Sequence, residues 1–347
     1  MEQYVRTRGT EGGFMKALIA GDIGGTKTIL ALYSTDKGPR EPVRRASFPS
    51  AAYAGLEDIV GEFLAGVQEK ILGAAFGVAG PVIDGSARIT NLPWTISSVS
   101  IGSMLGTGKV FLLNDLQAVA LGIPQLTKSD LHTLNTGEPD PSGPKAVIAP
   151  GTGLGEAYLT WDGLHYRAHA SEGGHADFAP RNARETGLLA YLMERFYHVS
   201  YERVCSGSGI PNIYSFLRDV CSLEEPTWLA ERLAKAPDPT IAIRETAQDP
   251  DHSCDLCRQT MRMFVDILGA ETGNLALKLL PTGGIYLAGG LPPRILSMLE
   301  DGAFLDAARA KGRLSTMVHR MPVHVILNTD VGLIGAAGYG LENIRNH

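Results

Sequence analysis

A glycine-rich octapeptide, Gly21-Asp-Ile-Gly-Gly-Thr-Lys-Thr28, lies between two apolar runs, Ala17-Leu-Ile-Ala20 and Ile29-Leu-Ala-Leu-Tyr33. Short aliphatic runs flanked by glycine read as β-strands. The expectation is therefore strand, glycine turn, strand. Glycines let a backbone fold tightly enough to aim its N–H groups at a phosphate. Asp22 sits among them, and a carboxylate beside phosphates is repulsive unless a divalent cation lies between. The pattern points to a nucleotide bound with magnesium. A Walker A loop is excluded because Thr26 stands where its second glycine belongs, and because the following segment is strand-like, not helical. A dinucleotide fingerprint fails for the same lack of a helix. An ordinary hairpin turn is the competing reading.

The 347 residues suggest two domains. With 44% apolar and 20% charged residues, a packed globular chain is expected. A net charge of −6 without any basic stripe argues against nucleic acid as a partner. No apolar segment is long enough to span a membrane, and residues 1–14 lack the apolar stretch of a secretory signal. Those residues are expected to be a disordered extension, with Met15 as the natural start. Four cysteines form no disulfide framework in so long a chain, which fits a reducing, cytoplasmic setting. Cys254 and Cys257 make a lone C-x-x-C near His252. A zinc site needs four ligands and no second pair follows, so two positions on one face of a long helix over 253–280 are the expectation.

Strands are expected at 17–20, 29–34, 43–48, 74–78 and 110–113, with a helix over 56–71 and another from about 116. Gly, Pro and Asp mark 135–144 as a loop. The pattern then restarts: a strand at 146–149, the turn Pro150-Gly-Thr-Gly-Leu-Gly155, and a strand at 157–160. Helices dominate 184–280. A strand at 285–288 meets Gly289-Gly290, and a strand at 323–327 precedes a final helix from Asp330. The two strand–glycine turn–strand arrangements suggest duplicated topology without duplicated sequence, and two turns able to grip one polyphosphate.

In these segments and their order the chain resembles the sugar kinases of the actin, hexokinase and heat-shock chaperone superfamily, and more narrowly the bacterial ATP-dependent glucokinases. The resemblance runs from about Leu18 to the C-terminal helix. It is carried by Gly21-Asp-Ile-Gly-Gly-Thr26, Thr90-Asn-Leu-Pro-Trp94, Leu113-Asn-Asp-Leu116, Pro150-Gly-Thr-Gly-Leu-Gly155, Glu172-Gly-Gly-His-Ala-Asp-Phe178, Glu202-Arg-Val-Cys-Ser-Gly207 and Ala288-Gly-Gly290. It implies an α/β fold of duplicated actin-like ATPase (ribonuclease H-like) type, with two domains around a cleft. Residues 15–126 plus 328–347 would form a small α/β domain and 127–327 a large one. It implies that Gly21, Asp22, Ile23, Gly24, Gly25 and Thr26, together with Gly151, Thr152 and Gly153, hold the ATP phosphates, and that Gly289 and Gly290 lie near the adenosine. It implies that Asn91, Asn114, Asp115, Glu172, His175 and Glu202 line a glucose site, with Asp115 as catalytic base. ATP and Mg2+ are the implied cofactors and a homodimer the implied assembly. No direct metal ligand is expected; Asp22 would act through water.

The chemistry of these residue types agrees. Phosphoryl transfer asks for positioning and charge stabilisation, and a carboxylate within reach can accept the proton of a sugar hydroxyl. Asp115 follows a buried strand, where catalytic residues of open α/β sheets lie. Its bland alternative is a helix N-cap. Glu172 and Glu202 each offer two acceptor oxygens to hydroxyl groups; exposed charge, or a salt bridge with Arg203, is the alternative. His175 is either a sugar ligand or a structural histidine. The chain departs from the family at Lys27, where many glucokinases carry Asn. ROK proteins (repressor, open reading frame, kinase) commonly carry Lys there. They usually add a cysteine-rich zinc motif after the histidine of Glu-Gly-Gly-His; here Ala176-Asp-Phe-Ala-Pro180 follows, which favours the non-ROK group. A hexose kinase for another sugar and an actin- or chaperone-like ATPase are the alternative functions. A sugar-responsive repressor would need a helix-turn-helix before Gly21.

Overall fold

The computed structural model describes residues 15–89, 92–252 and 254–345. They divide into two compact units: one holds the described residues up to Leu126 and from Asp330 onward, the other Thr127–Thr329. The expected extension at 1–14 and the candidate ligand Asn91 lie outside the described residues.

In the first unit β1 (Lys16–Ile23), β2 (Lys27–Ser34) and β3 (Pro42–Pro49) form an antiparallel meander. Helix α1 (Leu56–Leu64) leads to β4 (Lys70–Val78). The short strands β5 (Val82–Ile83), β6 (Ser86–Arg88) and β7 (Thr95–Ser97) make a separate small sheet. Then follow α2 (Ser98–Leu105), β8 (Val110–Asn114) and α3 (Asp115–Gly122). The main sheet has the order β3-β2-β1-β4-β8, with β4 parallel to β1 and β8 parallel to β4. One face buries Ile19, Leu30, Ile59, Phe63 and Phe76. The other packs Ala20, Ala31 and Ala75 against Ala118, Ala336 and Ala337, small side chains that let helices lie close to the sheet.

Two expectations need correction here. The first strand does not stop at Ala20: Gly21, Asp22 and Ile23 continue it, opposite Leu30, Ile29 and Thr28. Gly21 is there for space, since a Cβ would lie 2.7 Å from both Leu30 Cδ2 and Phe76 Cδ1. The turn proper is only residues 24–26. The helix expected over 56–71 ends at Leu64. Gly66 takes a left-handed φ of +77°, and Lys70 and Ile71 pair with Lys16 and Ala17. Sheet pairing outweighs the helical propensity of that stretch.

In the second unit come β9 (Leu131–Asn135), β10 (Lys145–Pro150), β11 (Leu154–Trp161) and β12 (Tyr166–Ser171). Helices α4 (Ala183–Met193), α5 (Ile210–Asp219), α6 (Thr227–Lys235), α7 (Pro239–Gln248) and α8 (Asp255–Leu279) follow. Then come β13 (Ile285–Leu287), α9 (Leu296–Glu300), α10 (Ala303–Arg309), α11 (Ser315–His319) and β14 (Val323–Ile326). The C-terminal helix α12 (Val331–Arg345) belongs to the first unit. The second sheet is ordered β12-β11-β10-β13-β14-β9. Its first five strands repeat the order and sense of the first sheet: two antiparallel pairings, then two parallel ones. Its core joins Ile148, Leu287 and Val325 of the sheet to Phe264 and Leu268 of α8.

Cys254 is the N-cap of α8, its Sγ accepting from Cys257 N–H at 3.3 Å. Among the described residues no group of three His, Cys, Asp or Glu could hold a metal. Asn328 and Thr329 group with the second unit; Asn328 Nδ2 donates to Asp130 Oδ1 at 2.8 Å. Among the described residues no helix is long and apolar enough to cross a membrane.

Candidate active site

In the first unit the turn after β1 is held from beneath by Ser50. Gly24 N–H donates to Lys27 O at 3.0 Å and closes the turn. Ser50 Oγ donates to Gly24 O at 2.8 Å, and Ser50 N–H to Thr26 O at 3.1 Å. Ser50 is fully buried and shares a 3.0 Å hydroxyl contact with the equally buried Thr28. With Gly24 N–H engaged, the turn's own offer to an anion narrows to the amides of Gly25 and Thr26. Ile23, one of the candidate cofactor contacts, is fully buried in the sheet, as Gly21 is hemmed in by Leu30 and Phe76.

Asp22 is the penultimate residue of β1, beside this turn. Burial, then the nearby carboxylates of Asp115 and Asp330, push its pKa up from 3.8 to about 6, against the opposing pull of Lys27. Three acidic side chains thus converge electrostatically near the end of β1, the start of α3 and the start of α12. Asn114 takes the capping role that was the alternative for Asp115. Its Oδ1 accepts from Leu116 N–H at 3.0 Å and Gln117 N–H at 3.3 Å, while its Nδ2 donates to Gly80 O at 3.3 Å. Asp115 becomes the first residue of α3, half-buried, with Leu116 N–H donating to its Oδ1 at 2.8 Å. The positive end of the helix favours its anion. Asp330 accepts from Arg45 Nη2 at 2.8 Å.

In the second unit, Gly151 N–H donates to Gly153 O at 2.9 Å, and Gly207 N–H to Gly151 O at 2.8 Å. Ser208 N–H donates to Thr152 O at 3.2 Å. The turn at 151–153 is thereby stitched to the segment after Glu202. Glu202 itself reaches back: Leu154 N–H donates to its Oε2 at 3.0 Å, and a Cβ on Gly153 would overlap that same oxygen. Gly289 adopts φ +82°, with its Cβ position 2.9 Å from Pro150 O, so only glycine fits beside the end of β10. Gly290 follows, exposed, its carbonyl accepting from Arg294 Nη1 at 2.8 Å.

Glu172 is exposed and opens a single 3-10 turn, Gly173–His175, with His175 N–H donating to Glu172 O at 2.9 Å. A Cβ on Gly174 would overlap Leu154 O, so this turn lies against the start of β11. Glu172, His175, Glu202, residues 151–153 and Gly289 therefore form one assembly within this unit. His175 is exposed as well. Asp177, left out of the candidate set, is paired with His198 at 2.9 Å.

Sequence reasoning missed Ser50, Asp330 and Glu156. Asp330 had a signal: like Asp115, it is an acidic residue at the start of a helix that follows a strand. Glu156 had a fainter one, a lone carboxylate in an otherwise apolar and aromatic strand. Nothing in the sequence marks Ser50.

The fold is mixed α/β, and each of its two larger sheets carries a strand–glycine turn–strand with a carboxylate near the turn. The chain shares this fold with a glucokinase of known structure from an Antarctic psychrotroph, 30% identical, with TM-score 0.80 and coverage of 94% of this chain and 99% of that one. At the level of fold alone it also matches a ROK family glucokinase from Streptomyces griseus, solved in complex with glucose and AMPPNP, 19% identical, with TM-score 0.62 over 93% and 98% of the two chains. The sequence model of the family described as Glucokinase matches residues 19–343. The glucokinase of Nostoc punctiforme is 44% identical over 340 residues, 93% of this chain and 98% of that protein. The chain belongs to the glucokinase family.

Proposed function

We propose that the chain transfers the γ-phosphate of ATP to the 6-hydroxyl of glucose, giving glucose 6-phosphate and ADP. Membership of the glucokinase family supports the activity. The observation that carries the division of labour is the carboxylate placement. Asp115 stands beside Asp22 and the first glycine turn, whereas Glu202 is bonded to the second turn through Leu154 N–H.

Asp115 is the base that takes the hydroxyl proton as the sugar oxygen attacks phosphorus. Glu172, His175 and Glu202 hold the sugar hydroxyls, with Asn91 and Asn114 as further contacts. Gly25, Thr26, Gly151, Thr152 and Gly153 hold the phosphates, and Gly289 and Gly290 the adenosine end. The donor set suits magnesium. Mg2+ keeps several waters and binds through few carboxylates plus phosphate oxygens, and Asp22 is a carboxylate whose charge is costly without a cation. Held near Asp22, the ion would supply positive charge to offset the phosphates. The matching strand order of the two sheets supports the duplicated actin-like ATPase fold. The family resemblance supports a homodimer, and the sparse cysteines support a reducing, cytoplasmic setting.

The test is a coupled assay over a hexose panel, with ATP consumption followed against sugar added. One ADP per glucose, with mannose, fructose and amino sugars slower, is the expected result. Preference for another hexose would move the assignment to a related kinase. ATP turnover indifferent to every sugar would move it to the actin- or chaperone-like ATPase.

A further inference from the structure

Glu156 is a buried carboxylate for which the reaction has no use. It lies on β11, three residues after Gly153, with a relative exposure of 2%. Its Oε1 is fully enclosed and has no hydrogen-bond partner among the described residues. A buried polar atom left in that state is costly, so it needs a reason.

Its surroundings supply one. Glu156 is cross-strand from Ser171, the last residue before Glu172. A Cβ on Gly173 would overlap Glu156 Oε2 and lie 3.1 Å from Ser171 Oγ. Gly173 is thus glycine because the Glu156 carboxyl occupies the space beneath it. We propose that Glu156 is a positioning residue for glucose: its carboxyl is the floor on which the turn bearing Glu172 and His175 rests. This rests on the assignment of Glu172 to the sugar.

The charged and titratable groups around it come from three directions. Helix α8 contributes Glu271, fully buried, and Lys278; the segment before α5 contributes Cys205, fully buried. The turn itself carries Glu172 and His175. Glu271 has partners of its own: Asn274 Nδ2 donates to it at 2.8 Å and Lys278 Nζ at 3.5 Å, and Tyr201 also hydrogen-bonds it. Glu156 Oε1 has none. Burial, then Glu271, push its pKa up from 4.5 to about 7, with Lys278 opposing. The floor is neutral in mild acid; ionised above neutrality it would be a buried anion with an unpartnered Oε1, which disfavours this packing against Gly173.

The experiment measures glucose binding by calorimetry and glucose and ATP KM from pH 6 to 8.5 for wild type, Glu156→Gln, Glu156→Ala and Glu172→Gln. Gln keeps the shape and cannot ionise. Glucose should bind wild type progressively less tightly than Glu156→Gln as pH rises through 7, reaching roughly three- to tenfold. Glu156→Ala should weaken glucose about tenfold at every pH. The ATP KM should stay within about twofold for both Glu156 variants. Parallel glucose profiles for wild type and Glu156→Gln, each variant being folded by its melting transition, would overturn the proposal. So would equal shifts in glucose and ATP. If Glu172→Gln weakens glucose while the Glu156 variants do not, only the positioning role falls. If Glu172→Gln leaves glucose untouched, the sugar-site reading falls and takes this proposal with it.

Discussion

The two sheets share a topology and carry different loads. In the first, the position two residues before the first turn glycine is Asp22, whose charge is made costly by burial and then by Asp115 and Asp330. In the second, the matching position two residues before the first turn glycine is Ala149, and the strand ends in Pro150. The turns differ in width too. Ile23 pairs with Thr28 across the first, and Pro150 with Leu154 across the second, which is one residue tighter. The first turn is braced by a hydroxyl, Ser50, the second by a carboxylate, Glu202. One architecture thus places carboxylates beside the first glycine turn and a hydrogen-bonded glutamate beside the second; on the proposed assignment these would serve as base and sugar acceptor.

The largest expected effect breaks the first unit's chemistry. Asp115→Asn removes the base and keeps the size, and kcat should fall on the order of 10²–10⁴-fold. Steady-state rates at saturating glucose and ATP measure it. Activity within about threefold of wild type would remove the base from this unit.

Next comes the second unit. Losing a charge-assisted hydrogen bond costs about 1.5–3 kcal/mol, so Glu172→Gln should weaken glucose roughly 10–150-fold and leave the ATP KM nearly unchanged. Glu202→Ala should differ, because Glu202 also accepts from Leu154 N–H beside the glycine turn. It should raise both the glucose and the ATP KM. A Glu202 variant that spared ATP would show that its link to the turn has no energetic weight.

Smaller in scale, Gly21→Ala should destabilise the protein by about 1–3 kcal/mol through overpacking against Leu30 and Phe76. Chemical denaturation reads this, and a neutral result would return Gly21 to the turn. Smallest is Cys254→Ser, which substitutes a favoured N-cap and should shift stability by less than about 1 kcal/mol. A zinc-selective chelator should leave its melting temperature in place; a drop would revive a metal role for the C-x-x-C.

Much of this was legible in the sequence because glycine turns between apolar runs have few structural meanings. The restart of the pattern at Ala146 correctly pointed to a repeated topology. What escaped the sequence was the extent of pairing. Whether Gly21 is turn or strand depends on Leu30 and Phe76 lying on either side of it, and the shortening of α1 depends on Lys70 and Ile71 finding β1. Both are long-range contacts that override local propensity. Of the candidate site, Asp115, Glu172 and Glu202 were visible as acids in recurring motifs. Ser50 was not, and Asp330 and Glu156 only faintly, because their importance comes from what they face: the Gly24 carbonyl, Asp22 and Gly173.

The direct test of the division of labour is a crossed pair of measurements on Asp115→Asn and Glu172→Gln: glucose affinity by calorimetry without ATP, and kcat at saturating glucose. The account predicts a crossover. Asp115→Asn should bind glucose within about threefold of wild type and lose its kcat, whereas Glu172→Gln should lose mainly affinity. If both variants lost the same quantity, or if each lost what is predicted for the other, base and sugar acceptors would not be divided between the two units as proposed.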